Sequence, residues 1–147
     1  MPNSLNQTVD ETRRWPLTSE AWNQLIDEAA RIRQDLSSMT GQGLEEGIVQ
    51  LPVALAGRRL ETLRNIMERA QLVDDIPCAA VGRRATLRDT DGETSHEIVL
   101  PGDGDPVRGC IAADSPVGRA ILGARPGDAV EVTAPAGRWS VTVVAVE

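Results

Sequence analysis
Two glutamates stand side by side in "TGQGLEEGIVQ", residues 40–50, and their carboxylates are candidate oxygen ligands. Carboxylate oxygens are hard ligands. A pair aimed at one position can hold a hard cation. Glu45 and Glu46 are adjacent, so on any regular element they diverge, and Gly43 and Gly47 flank them. The same residues serve equally well as a solvated turn. His96 is the only histidine. With no second histidine and no neighbouring cysteine, it reads as a surface or packed side chain rather than a ligand or base. Cys78 and Cys110 are isolated and match no metal spacing, which reads as two reduced cytosolic thiols. A fourth stretch, "SPVGRAILG" at residues 115–123, carries a signal at each end. Ser115 or Asp114 suits an N-cap, Pro116 a first helical position, and Gly123 a left-handed stop. Val117, Ala120, Ile121 and Leu122 offer more apolar surface than one face of so short a helix can bury. Either all of it packs on a sheet, or part stays outward as a patch for a protein partner.

The elements that must position these residues follow from composition and periodicity. The 147 residues suffice for one ordinary domain or two small ones. The formal net charge is -7, from 15 basic and 22 acidic residues, and every basic residue is Arg. Duplex nucleic acid is therefore not expected as a lone partner, because phosphate binding draws on a basic face. A protein partner with a basic groove fits this balance. No apolar run approaches the ~20 residues needed to span a membrane. The opening "MPNSLNQTVDETRRWP" has no apolar core and does not read as a secretory signal. The chain has no Phe and no Tyr, only Trp15, Trp22 and Trp139. That leaves little material for an aromatic-lined pocket or a base-stacking platform.

Residues 1–16 are polar and are expected to form a flexible terminus. From residue 17 the apolar positions Trp22, Leu25, Ala29, Ile32, Leu36 and Met39 step 3, 4, 3, 4, 3. Val53, Ala56, Leu60, Leu63, Met67 and Ala70 repeat the same steps. Both are coiled-coil seams. Joined by a short linker, they predict an antiparallel α-helical coiled-coil hairpin over 17–76, with Glu45 and Glu46 at its tip. Thr18 or Ser19 is the expected N-cap of the first arm. After "DDIP" the period changes to 2. Alternation in "AVGRRATLRD", "SHEIVL", "AVEVTA" and "RWSVTVVAVE", with turns at "DTDGE", "RPGD" and "PAG", predicts a small, mostly antiparallel sheet over 77–147. "CIAAD" is a short strand and "SPVGRAILG" the one embedded helix. The expected fold class is α+β.

This layout strongly resembles the GreA/GreB family of bacterial transcription elongation factors. The resemblance rests on Gly82 to Leu87 in the pattern G-x-x-x-x-L, on "EIVLPGDGDP", on "IAADSPVGRAILGARPGDAVEV" and on "PAG". It is specific over 79–147 and architectural over 17–75. It implies that the β domain is FK506-binding-protein-like (FKBP-like) and docks at the rim of the secondary channel of bacterial RNA polymerase. It further implies a docking surface made of Asp114, Ser115, Pro116, Gly118, Arg119, Ile121 and Leu122. Arg119 then either pairs with a polymerase carboxylate or caps its own helix. The coiled coil reaches toward the catalytic Mg²⁺. The chain would need no cofactor of its own, and any contact with Mg²⁺ would be indirect, through ions held by polymerase. Nucleic acid would likewise be met only within the transcription complex. The active form is expected to be a cytoplasmic monomer without an active site of its own.

The tip departs from the family pattern. Cleavage-stimulating members carry an Asp and a Glu three residues apart, followed by Asn and Tyr, and none of this is present in residues 40–50. The arms are also about two to three turns shorter than in cleavage factors. The expectation is a polymerase-binding regulator without robust cleavage stimulation. The alternative is a genuine cleavage factor that uses Glu45 and Glu46. A remote third reading, a peptidyl-prolyl isomerase, rests on fold type alone and lacks the rings its pocket requires.

Overall fold
The computed structural model describes residues 14–41 and 50–147. The fold is α+β and divides into two compact units. One contains Trp22–Ala70; the other combines Trp15–Ala21 with Gln71–Glu147.

The first unit is helical. Helix α1 spans Ser19–Gly41 and α2 spans Gln50–Arg69. Thr18 is the N-cap of α1, its Oγ1 accepting from the Ala21 N–H at 3.1 Å. The first seam faces inward where it is described: Leu25 and Ala29 are buried, and Trp22, Ile32 and Leu36 are half-buried. On α2, Leu63 is fully buried and Val53, Ala56, Leu60 and Met67 are half-buried. Ile66, which the 3–4 count passes over, is buried to 1 % exposure. A straight helix drifts against a 3.5-residue repeat, so the covered stripe is wider than one seam. A two-point ion pair joins the helices, with Arg59 Nε donating to Glu28 Oε2 at 2.6 Å and Nη2 to Oε1 at 3.1 Å. The Met39 side chain and Glu45–Glu46 lie outside the described residues.

The second unit opens with two short strands that the sequence pattern does not announce. Strand β1, Trp15–Leu17, pairs with β2, Ala70–Leu72. Ala70 therefore begins a strand, although the periodicity places it at the end of the second seam. Leu17 is fully buried, and the backbone beside it is bonded through Thr18 N–H to Val81 O and Val73 N–H to Leu17 O, each at 3.0 Å.

The main sheet has five strands in the order β5-β4-β3-β7-β6. They are β3 Arg84–Asp89, β4 Gly92–Val99, β5 Cys110–Ala112, β6 Ala129–Ala134 and β7 Gly137–Val146. All pairs are antiparallel except β4 with β5. A bulge between Thr86 and Leu87 shifts the β3–β7 register, which adds local twist. Alternation sends Ala85, Leu87, Ile98, Val132, Val141 and Val143 to one buried face. Helix α3, Pro116–Ile121, packs against β6 and β5. A smaller cluster of Val73, Cys78 and Ala80, with Ile76 against it, fills the segment before the sheet. Arg83 holds that segment in place. Its guanidinium donates to the carbonyls of Ile76, Cys78, Val73 and Asp74, the last three at 2.8, 2.7 and 3.2 Å.

Candidate functional site
Helix α3 has only six residues, too few to persist without help at its ends. Ser115 supplies that help at the start. Its Oγ accepts from the Gly118 N–H at 3.1 Å, and its hydroxyl donates to Ala112 O at 2.7 Å. Pro116 takes the first helical position, where a missing N–H costs nothing. At the other end Leu122 N–H returns to Gly118 O at 3.0 Å, and Gly123 turns the chain at φ +84. The chain then pairs back, with Gly123 N–H to Ala79 O and Ala79 N–H to Ala124 O, both 2.8 Å. The helix start is thus fixed in position and direction.

The seven residues assigned to docking separate by exposure. Asp114, Pro116 and Arg119 are exposed, while Ser115 and Leu122 are half-buried. Ile121 is at 0 % exposure and Gly118 is buried. These two cannot touch a partner; they seat the helix. Ile121 is therefore a core residue, because a helix this short has one inward face and that face takes its bulkiest apolar side chain. Val117 and Ala120 are half-buried beside it.

Helix α3 covers only part of the sheet face. The rest forms an open cleft of about 640 Å³. Its lining includes Leu87, Val141 and Ile111, the start of α3 at Ser115–Val117, and Trp139. The polar contributors include Asp89, Thr94, His96 and Cys110. His96 is half-buried with Nε2 2.9 Å from Thr94 Oγ1. Cys110 is half-buried with Sγ 3.8 Å from Glu97 Oε2. Burial, then the Glu97 carboxylate, pushes the thiol above its ordinary value of 9.0. Cys78 is buried and free. Among the described residues no group of three His, Cys, Asp or Glu is placed to hold a metal. None of their helices is long and apolar enough to cross a membrane.

Scarcity of rings argued against an apolar pocket, yet the cleft exists because aliphatic side chains and one indole line it. Trp139 was the residue that sequence reading passed over. Its signal was present: it shares strand alternation with Val141 and Val143, and it is the sole aromatic residue after residue 22.

The family model described as "Transcription elongation factor, GreA/GreB, C-term" matches residues 76–147. Transcription elongation factor GreA of Roseiflexus sp. (strain RS-1) is 31% identical over 128 residues, spanning 83% of this chain and 81% of that protein. GreA of Lactococcus lactis subsp. cremoris (strain MG1363) is 33% identical over 96 residues, 60% of this chain and 61% of that one. The solved structure of a prokaryotic transcription elongation factor GreA/GreB from Nitrosomonas europaea aligns over 90% of this chain and 98% of its own. Its TM-score is 0.45 and its sequence identity 23%.

Proposed function
The chain belongs to the GreA/GreB family of transcription elongation factors, and from that membership we propose that it binds bacterial RNA polymerase at the secondary channel and modulates transcription without robust cleavage stimulation. The observation that carries the docking reading is the start of α3. Asp114 and Pro116 are exposed on either side of the helix cap, Ser115, which is itself bonded in both directions. A rigid anchor of this kind binds with little ordering cost. Arg119 and Leu122 complete the outward set; Gly118 and Ile121 support it from beneath.

The two helices serve as the coiled-coil arm that enters the channel, and the second unit is the FKBP-like docking domain. The protein acts as a cytoplasmic monomer and carries no active site or cofactor of its own. It works on polymerase, and it meets nucleic acid and Mg²⁺ only through polymerase. The absence of an Asp-x-x-Glu pair in "TGQGLEEGIVQ" supports weak cleavage stimulation, because adjacent carboxylates diverge where a pair three residues apart can share one metal position.

The test pairs a polymerase-binding measurement with a cleavage assay on backtracked transcription complexes. The expected result is binding, little added cleavage, and loss of binding in P116D, where an Asp at the first helical turn still suits the helix. Strong cleavage by the unmodified protein, abolished in an E45A/E46A variant that still binds, would return it to the cleavage factors. Unchanged binding by P116D would remove the docking assignment.

A further inference from the structure
The docking reading above uses only the α3 rim of the cleft, at Ser115 and Pro116, and leaves the sheet side of its uneven lining without a role. Ser115, Pro116 and Val117 contribute to it, so it is continuous with the proposed anchor. Trp139, the one indole that the main sheet carries, stands in it at 39% exposure. Trp is the side chain most enriched where binding energy concentrates, since it offers a large rigid surface at low entropy cost. Among the described residues, Asp89 is the only carboxylate in the lining, and none of them there is Arg.

We propose that Trp139 and Asp89 are selectivity determinants for the polymerase surface that this chain recognises, with the indole as apolar anchor and the carboxylate as its charge partner. The inference rests on the docking reading and deepens it. The complementary patch on polymerase would present an apolar side chain to Trp139 and a basic side chain to Asp89. The chain's net charge of -7 supports the same polarity of approach. A neutral apolar patch would leave Asp89 desolvated and unpaired, and an acidic one would repel it.

The experiment uses the full chain labelled with 5-fluorotryptophan, which reports on Trp15, Trp22 and Trp139, and unlabelled core polymerase. W139V assigns the third fluorine resonance by its loss and keeps a β-branched residue in the strand. The expected result is a chemical-shift change of the Trp139 resonance, at substoichiometric polymerase, larger than any change of the Trp15 resonance, which shares only the general broadening of the bound chain. W139V should bind about thirtyfold more weakly. D89N should bind with a shallower salt dependence; Asn still accepts the Asp91 N–H that Asp89 Oδ1 takes at 2.8 Å, so the turn is kept. Because the resonance is read on the unaltered sequence, instability of W139V would not obscure the outcome. Binding by the unmodified chain with a Trp139 shift no larger than that of Trp15, or a D89N salt slope equal to the parent, would overturn the proposal and leave the docking reading intact. Failure of the unmodified chain to bind polymerase would overturn both.

Discussion

Gly118 lies directly against Ala112. A Cβ built on Gly118 would stand 2.2 Å from the Ala112 carbonyl oxygen and 2.9 Å from that of Ala113. Both obstacles are backbone, so neither can swing away as a side-chain end could. The same carbonyl of Ala112 accepts the Ser115 hydroxyl. One contact therefore sets both the depth of α3 on the strand and the orientation of its cap.

The first prediction follows from that contact. G118A should displace α3 and destabilise the protein by about 1–3 kcal/mol, the usual cost of overpacking a tight site. Polymerase affinity should fall with it, because the exposed Asp114 and Pro116 ride on the displaced helix start. Thermal unfolding beside a binding titration reads both effects. A variant as stable as the parent would show that the helix can shift without loss.

Ile121 and Leu63 test the two cores. Each is at 0 % exposure, one in each unit. I121A and L63A should each cost about 2–5 kcal/mol through lost burial and the cavity left behind. L60A should cost less than L63A, since Leu60 is only half-buried. Denaturant titrations of the three variants give the ordering. Equal losses at positions 60 and 63 would contradict the burial difference.

The ends and turns of the β half were legible because each depends on a few neighbouring residues. The caps at Ser115, Pro116 and Gly123 and the strand "AVEVTA" were read from local chemistry. The three-residue strands Trp15–Leu17 and Ala70–Leu72 were not. They are too short to show a period, and each is made by a partner far away in sequence. Arg83 was equally silent: nothing in its neighbours says that its guanidinium will collect four carbonyls. The capped helix at 115–123 was legible as a segment, but not which of its residues it exposes. Which of Pro116, Gly118 and Ile121 faces outward depends on where the sheet lies, and tertiary packing decides that.

Asp74 gives a pH prediction. The Ser19 hydroxyl and then the Ser19 N–H, the latter at 3.0 Å from Oδ1, hold its carboxyl below the ordinary value of 3.8. A lowered folded value means the ionised form is the one the fold favours. Its contribution is present above 3.8 and is lost as the pH falls through the lowered value. D74N should therefore be less stable than the parent at neutral pH, and the gap should narrow in acid. Urea titrations at about pH 7 and about pH 3 measure the gap at each end. A constant gap would show that Asp74 contributes through packing or neutral hydrogen bonding instead.

Cys110 supplies the last prediction. Its thiol is held above 9.0, first by burial and then by Glu97, whose Oε2 is 3.8 Å away. The thiolate is the reactive form, so at mildly alkaline pH Cys110 should react with a disulfide reagent more slowly than an unhindered thiol. Cys78 is buried and should be slower still, leaving two resolvable phases of unequal rate. E97Q removes the carboxylate's charge and should accelerate the faster phase. The acceleration should be partial, because burial is the larger cause and the substitution leaves it in place. C110S should delete that phase and leave the slow one untouched. Stopped-flow absorbance on the three proteins separates these effects. If E97Q reacted no faster than the parent, Glu97 would not be the charge that restrains the thiol, and the suppression would rest on burial and the Asp105 carboxylate.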